Sequence, residues 1–159
     1  MNLSLNETHL MNCIDGMQLM DAESVDLVVT SPPYDDLRTY NDSSKWDHEV
    51  FKSVADNLTR VLKNGGVIMW NVNDATIKGS ESGSSFRQCL YFMDQCGLRL
   101  HDTMIYEKTG TAFASGPKSV RYTQIFEYCF ILSKGKPKTI NLIQDKKNAW
   151  AGYTSFGNA

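Results

Sequence analysis

An α/β fold, in which helices cover a largely parallel sheet, is predicted by three features of this 159-residue sequence. Short apolar runs of strand length alternate with segments whose apolar residues recur at helical spacing. Val25–Thr30 (VDLVVT) is almost wholly apolar, the pattern of a strand covered on both faces. Glycine and asparagine signals, such as Asn64-Gly65-Gly66 and Gly97, separate the segments. With 42% hydrophobic residues the chain can build one core, and one domain is expected.

The elements follow in order. His9–Cys13 reads as a short strand, and Asp15–Met20 as a helical turn or short helix. After Val25–Thr30, the segment Asp47–Lys63 places Val50, Phe51, Val54, Leu58, Val61 and Leu62 at spacings of three and four, an amphipathic helix capped by Asp47. Val67–Trp70 is a further buried strand. The glycine- and serine-rich patch 79–85 reads as an exposed loop, Phe86–Cys96 as a second amphipathic helix, and Leu98–Tyr106 and Ile125–Leu132 as two more strands. In such sheets ligands bind beyond the carboxyl ends of strands.

Composition narrows the functional classes. No run approaches the roughly 18 apolar residues of a membrane-spanning helix, and the N-terminus lacks a signal-peptide pattern, so a cytoplasmic protein is expected. Cys13, Cys89, Cys96 and Cys129 include no C-x-x-C pair and read as reduced, mostly buried thiols. His9, His48 and His101 are scattered, and no metal site is predicted. The net charge of −2 conceals an asymmetry. Residues 1–98 hold 7 Lys+Arg against 14 Asp+Glu, whereas residues 99–159 hold 9 against 4. The basic half could face phosphates or simply solvate a surface, with Lys134, Lys136, Lys138, Lys146 and Lys147 as its densest part.

Ser31-Pro32-Pro33-Tyr34 ends the first buried strand. Each proline fixes its own φ and pushes the preceding residue into extended conformation, so Ser31 and Pro32 are barred from starting a helix. The expectation is a stiff acceptor array, with the Ser31 hydroxyl and Pro32 carbonyl free to point into an open cleft and the Tyr34 ring beside them. Two acceptors on one NH2 group suit an exocyclic base amine. They can turn its delocalised lone pair toward an electrophile and stabilise the charge that develops. A base reaches such a corner only when flipped out of its duplex, and Tyr34 is its stacking partner. The natural electrophile is the sulfonium methyl of S-adenosylmethionine. A strand-ending turn with no chemistry is the plain alternative.

Taken together, "SVDLVVTSPPY", "VLKNGGVIMWNVND", "HDTMIYEKTG", "IFEYCFILSKGKPKTI" and "DKKNAWAGYTSFGNA" resemble the amino-methyltransferases of DNA, which modify cytosine N4 or adenine N6. The resemblance is to the subgroup, common in restriction-modification systems and bacteriophages, whose catalytic motif precedes its cofactor motif. It implies a Rossmann-like methyltransferase fold with helices on both faces of the sheet. It also implies S-adenosylmethionine as cofactor, double-stranded DNA as partner, and Ser31, Pro32, Pro33 and Tyr34 as the catalytic tetrad. Serine in the first place is more often linked to cytosine N4. In "MNCIDGM" the cofactor-holding slot falls on Asn12 beside Cys13, with Ser31 facing the same cofactor. Lys108, Lys118 and Arg121 are candidates for phosphate contact, while Asn71, Asn73 and Asp74 are candidates to line the cleft and Glu127 has no assigned role. The family's F-x-G-x-G segment has no counterpart in these 159 residues. The expectation is therefore one partial domain, with a catalytic-motif half at 1–140 and the opening of a target-recognition region at 141–159. Weak cofactor binding by this chain alone follows, whether it is a truncated gene product, an expressed fragment or one half of a split enzyme; in the last case a second chain supplies the glycine motif. A catalytically silent nucleic-acid-binding remnant is the alternative.

Overall fold

The computed structural model describes residues 3–34, 46–109 and 124–141. In chain order the elements are α1 (Cys13–Gln18), β1 (Val25–Thr30), α2 (His48–Val61), β2 (Leu62–Val72), the two-residue strands β3 (Thr76–Ile77) and β4 (Ser80–Glu81), α3 (Ser84–Asp94), β5 (Arg99–Glu107) and β6 (Phe126–Ser133).

The main sheet has the order β1-β2-β6-β5. β1 and β2 are parallel, while β6 is antiparallel to both β2 and β5. Three of the four strands therefore point one way, as the alternating pattern predicts, and β6 alone runs against them. Among the described residues direct parallel pairing is confined to β1 and β2, because the reversed strand sits between β2 and β5. The ladder from Glu107↔Phe126 to Arg99↔Ser133 places the end of β5 beside the start of β6.

α2 forms where predicted. Asp47 Oδ1 accepts from the backbone N–H groups of Glu49 and Val50 at 3.1 and 3.0 Å, and satisfies two of the donors that open any helix. At the other end the Lys134 ammonium donates to the Thr59 and Leu62 carbonyls at 3.2 and 3.1 Å. One lysine of the basic half is thus a helix cap, placed where a cation suits the helix dipole. Gly65, the fourth residue of β2, sits at φ +85°. A Cβ at Gly66 would come within 2.9 Å of the Lys63 carbonyl oxygen and 3.0 Å of that of Asp26, so the register shift between β1 and β2 requires glycine.

Alternate residues of β2 (Ile68, Trp70 and Val72) join Phe130 and Leu132 of β6 in a core closed by α2 and α3. Phe51, Trp70 and Phe92 stack edge to face with ring centroids 5.2–5.9 Å apart, and the Trp70 indole donates to Gln88 Oε1 at 2.9 Å. Both long helices share this face. Among the described residues the other face is bare of helix, and Leu27 and Val29 of β1 are 59% and 65% exposed. The two-sided coverage predicted from the apolar run of β1 is not seen among these residues.

Two local expectations are corrected. His9–Cys13 is not a strand, because Asn12 Oδ1 accepts from the Ile14 N–H at 2.9 Å and starts α1 at Cys13. Nor is the patch at 79–85 simply exposed. Lys78 and Gly79, both at positive φ, close a two-residue hairpin between β3 and β4, and the chain then turns inward. Asp74 is 6% exposed and accepts from the hydroxyls of Ser82, Ser84 and Ser85 and from the Ser85 backbone N–H. Burial alone would raise its pKa, but the four hydrogen bonds outweigh it and hold the carboxyl below its ordinary value. Gly83, the residue before α3, offers no side-chain cap, and Asp74 performs that service for the Ser85 N–H from eleven residues away.

Asp74→Asn should cost about 2 kcal/mol at pH 7, measured by chemical denaturation, since hydrogen bonds to a charged acceptor are lost. The folded carboxyl titrates below the unfolded one. Its stabilisation is therefore full above the unfolded pKa of 3.8 and disappears as the pH falls through the folded value, so the gap between the two proteins closes in acid.

Candidate active site at the carboxyl edge of the sheet

β1 ends at Thr30, paired with Trp70, and delivers Ser31 to the edge where β1, β2 and β5 all finish. Ser31 is exposed, Pro32 is buried, and Pro33 and Tyr34 are half-buried. The Tyr34 ring packs against the core, and its hydroxyl lies among polar groups from three strands. Asn71 comes from the last turn of the pleat of β2, Glu127 from the second position of β6, and Lys108 directly follows β5.

These groups form one connected chain. Ser31 Oγ lies 2.9 Å from Tyr34 Oη, which donates to Glu127 Oε2 at 2.8 Å. Asn71 Nδ2 donates to Tyr34 Oη at 2.9 Å and to Glu127 Oε2 at 2.7 Å. The Asn71 carbonyl oxygen accepts from the Cys129 thiol at 2.9 Å, and this assigns which end of the amide faces the tyrosine. The second Glu127 oxygen pairs with the Lys108 ammonium at 2.8 Å.

The electrostatics agree with this arrangement. The Glu127 side chain is 12% exposed, and burial would raise its pKa. Lys108, with the hydrogen bonds from Tyr34 and Asn71, overrides burial and holds the carboxyl below its usual range. Tyr34 moves the other way, pushed up to about 12 by burial foremost and also by the hydrogen bond to Glu127 and its charge, against the opposing hydrogen bonds with Ser31 and Asn71. The proton between the two stays on the phenol.

On the other side of Ser31 lies a cavity of about 220 Å³ lined by Cys13, Met17, Val28, Thr30, Ser31, Pro32, Pro33, Trp46, Val54, Leu58 and Trp70. Its walls are mainly apolar, with Cys13 and Ser31 among its few polar groups. Asn12 is adjacent in sequence, with its carbonyl oxygen committed to α1.

The structure brings Cys13, Ser31, Pro32 and Pro33 to one cavity and joins Ser31 and Tyr34 to Asn71. The expected free Ser31 hydroxyl is corrected, since it is tied to Tyr34 at 2.9 Å. Lys108 is engaged by Glu127, while Lys118 and Arg121 lie outside the described residues. Asn73 reaches the Phe126 carbonyl at 3.4 Å, and Asp74 serves the serine cluster instead of the cleft. Glu127 is the group that sequence reasoning left without a role. Its signal was a lone carboxylate inside the apolar run FEYCFIL. Among the described residues, no group of three or more His, Cys, Asp and Glu side chains is placed to hold a metal, and no helix is long and apolar enough to cross a membrane.

A profile of the DNA methylase family matches residues 25–157. The chain belongs to that family. It is 60% identical over 127 residues to the orphan methyltransferase M.BamHII of Bacillus amyloliquefaciens, a match covering 80% of this chain and 45% of that protein. It is 27% identical to the type II methyltransferase M.SmaI of Serratia marcescens, covering 77% of this chain and 53% of the relative. Among solved structures, PvuII DNA methyltransferase (cytosine-N4-specific) superposes with a TM-score of 0.67 at 21% identity, over 82% of this chain and 50% of that one. The complex of M1.HpyAVI with SAM gives 0.51 at 17% identity, over 85% and 56%. The fold is that of the Rossmann-like methyltransferases, and the chain spans about half the length of these relatives.

A double-mutant cycle on Lys108→Met and Glu127→Gln should give a coupling of about 1 kcal/mol in unfolding free energy at pH 7. The coupling should vanish once acid protonates Glu127, whose folded pKa lies below its unfolded value.

Proposed function

We propose that this chain carries the catalytic half of an S-adenosylmethionine-dependent DNA methyltransferase acting on the exocyclic amine of a flipped base, with cytosine N4 favoured over adenine N6. The observation that carries this reading is the position of Ser31, at the end of β1 with an apolar cavity on one side and the Tyr34 hydroxyl on the other. A base amine placed against Ser31 and the Pro32 carbonyl has both N–H bonds engaged, and the Tyr34 ring offers it a stacking face. The preference for cytosine rests on serine in the first place of the tetrad.

The cofactor fits in part. The cavity of about 220 Å³ is smaller than the roughly 300–1,000 Å³ of sites that bury a drug-sized ligand, and its apolar walls suit one end of S-adenosylmethionine. Cys13 and Ser31 would hold that end at the rim, and the Asn12 amide N–H groups are the donors left for it after its oxygen caps α1. When bound, the cofactor supplies an electrophilic methyl group. This chain's own residues orient the amine and screen it from water. We assign the rest of the pocket to sequence outside these 159 residues, in the same or a second chain.

Double-stranded DNA is the proposed partner, with Lys118, Arg121 and Lys108 as its phosphate contacts, the Lys108 ammonium being shared with Glu127. Reversing the charge of Lys118 and Arg121 should weaken binding to all duplexes alike and flatten its salt dependence. A loss confined to one sequence in a filter-binding series would count against that assignment.

The function is tested by calorimetry and product analysis on this chain, with and without a separately supplied segment bearing F-x-G-x-G. Weak S-adenosylmethionine binding alone, strengthened by the segment, is expected, with N4-methylcytosine as the product. Tyr34→Ala should lower methylation about 100-fold by misplacing the amine. Undiminished transfer in that variant would overturn the reading.

A further inference from the structure

The hydrogen bonds around Tyr34 leave little freedom in where each proton lies. Glu127 faces the Lys108 ammonium at 2.8 Å through one oxygen and can only accept through the other, 2.8 Å from Tyr34 Oη. Tyr34 has one hydroxyl hydrogen, and Glu127 takes it. Asn71 cannot change this, because its oxygen is held by the Cys129 thiol and its Nδ2 can only donate toward Tyr34 and Glu127. At the 2.9 Å contact between Ser31 Oγ and Tyr34 Oη the phenol oxygen must then accept and serine must donate. Ser31 is left with lone pairs facing outward and no hydrogen to offer.

We propose that Glu127 is a positioning residue that acts through Tyr34 to make Ser31 an obligate hydrogen-bond acceptor, so that the site selects an amino group over a carbonyl. The proposal rests on the base-binding reading of this corner and adds the source of its polarity. An N–H of the bound amine donates to Ser31, Ser31 to Tyr34, and Tyr34 to the carboxylate. Each donation strengthens the next, because hydrogen bonds in a chain polarise one another. A keto group would meet serine lone pairs with its own, with no compensating donor. Lys108 keeps Glu127 ionised and fixes which oxygen faces the tyrosine.

Glu127→Gln separates this role from plain packing. Lys108 would retain the amide oxygen, the amide NH2 would face Tyr34, and the phenol hydrogen would turn to Ser31. The serine hydrogen would then point outward, reversing the polarity offered to a ligand. The first measurement is neutron diffraction on deuterium-exchanged wild-type crystals, which locates the hydroxyl hydrogens with no ligand present. A Ser31 deuteron directed at Tyr34 Oη supports the proposal, and one directed outward overturns it. The second is NMR titration with 1-methylcytosine and 1-methyluracil. Wild type should prefer the amino base, and Glu127→Gln should shift the ratio of the two affinities by about tenfold or more toward the keto base. Glu127→Asp, which keeps an acceptor, should retain the wild-type order. Equal weakening of both bases in Glu127→Gln would mean a merely structural role and overturn the proposal. If wild type binds neither base, the base-binding reading fails, while the deuteron position still decides the direction of the chain.

Discussion

A strand running backwards between two that run forwards is the constraint from which the site follows. Because β6 is antiparallel to both neighbours, its first residues lie against the last residues of β2 and β5. Glu127 therefore arrives beside Asn71 and Lys108, at the edge where β1 releases Ser31 and Tyr34. Had β6 run parallel, its opening residues would stand at the far edge, roughly 25 Å away at the rise of an eight-residue strand.

Burial makes the polar chain informative. A carboxylate as enclosed as Glu127 stays charged only because a cation and two neutral donors meet it, and the same contact holds the phenol proton on Tyr34. The opposite displacements of the two groups are two views of one hydrogen bond. Asp74 obeys the same rule with hydroxyls and a backbone amide in place of a cation, and there the outcome is a shaped loop and a capped helix. Two carboxylates, one buried and one mostly enclosed, each with its partners, thus serve different ends.

What was legible in the sequence was whatever depends on periodicity and local chemistry. α2 with its Asp47 cap, the apolar strands, and the serine-proline corner at a strand end all follow from spacing within a few residues. The beginning of α1 was missed because one asparagine cap outweighed a weak strand pattern at His9–Cys13. The Asp74 cluster was hidden because serines in a glycine-rich patch look solvated until a distant carboxylate gathers them. Glu127 was illegible for a related reason. Its partners come from positions 31–34, 71 and 108, and only the order of strands places them together.

The uneven distribution of thiols also has a practical meaning. Cys89 is buried with its pKa pushed up to about 11 by burial, and Cys129 is buried, likewise raised by burial, and donates its hydrogen to Asn71. Neither presents a thiolate to reagents near neutral pH. Cys13 is exposed and stands on the wall of the cavity. Cys96 is half-buried with its pKa likewise raised by burial, so a maleimide fluorophore would label the protein chiefly at the rim of its candidate cofactor site, and its emission would report the filling of that cavity without any substitution in the chain.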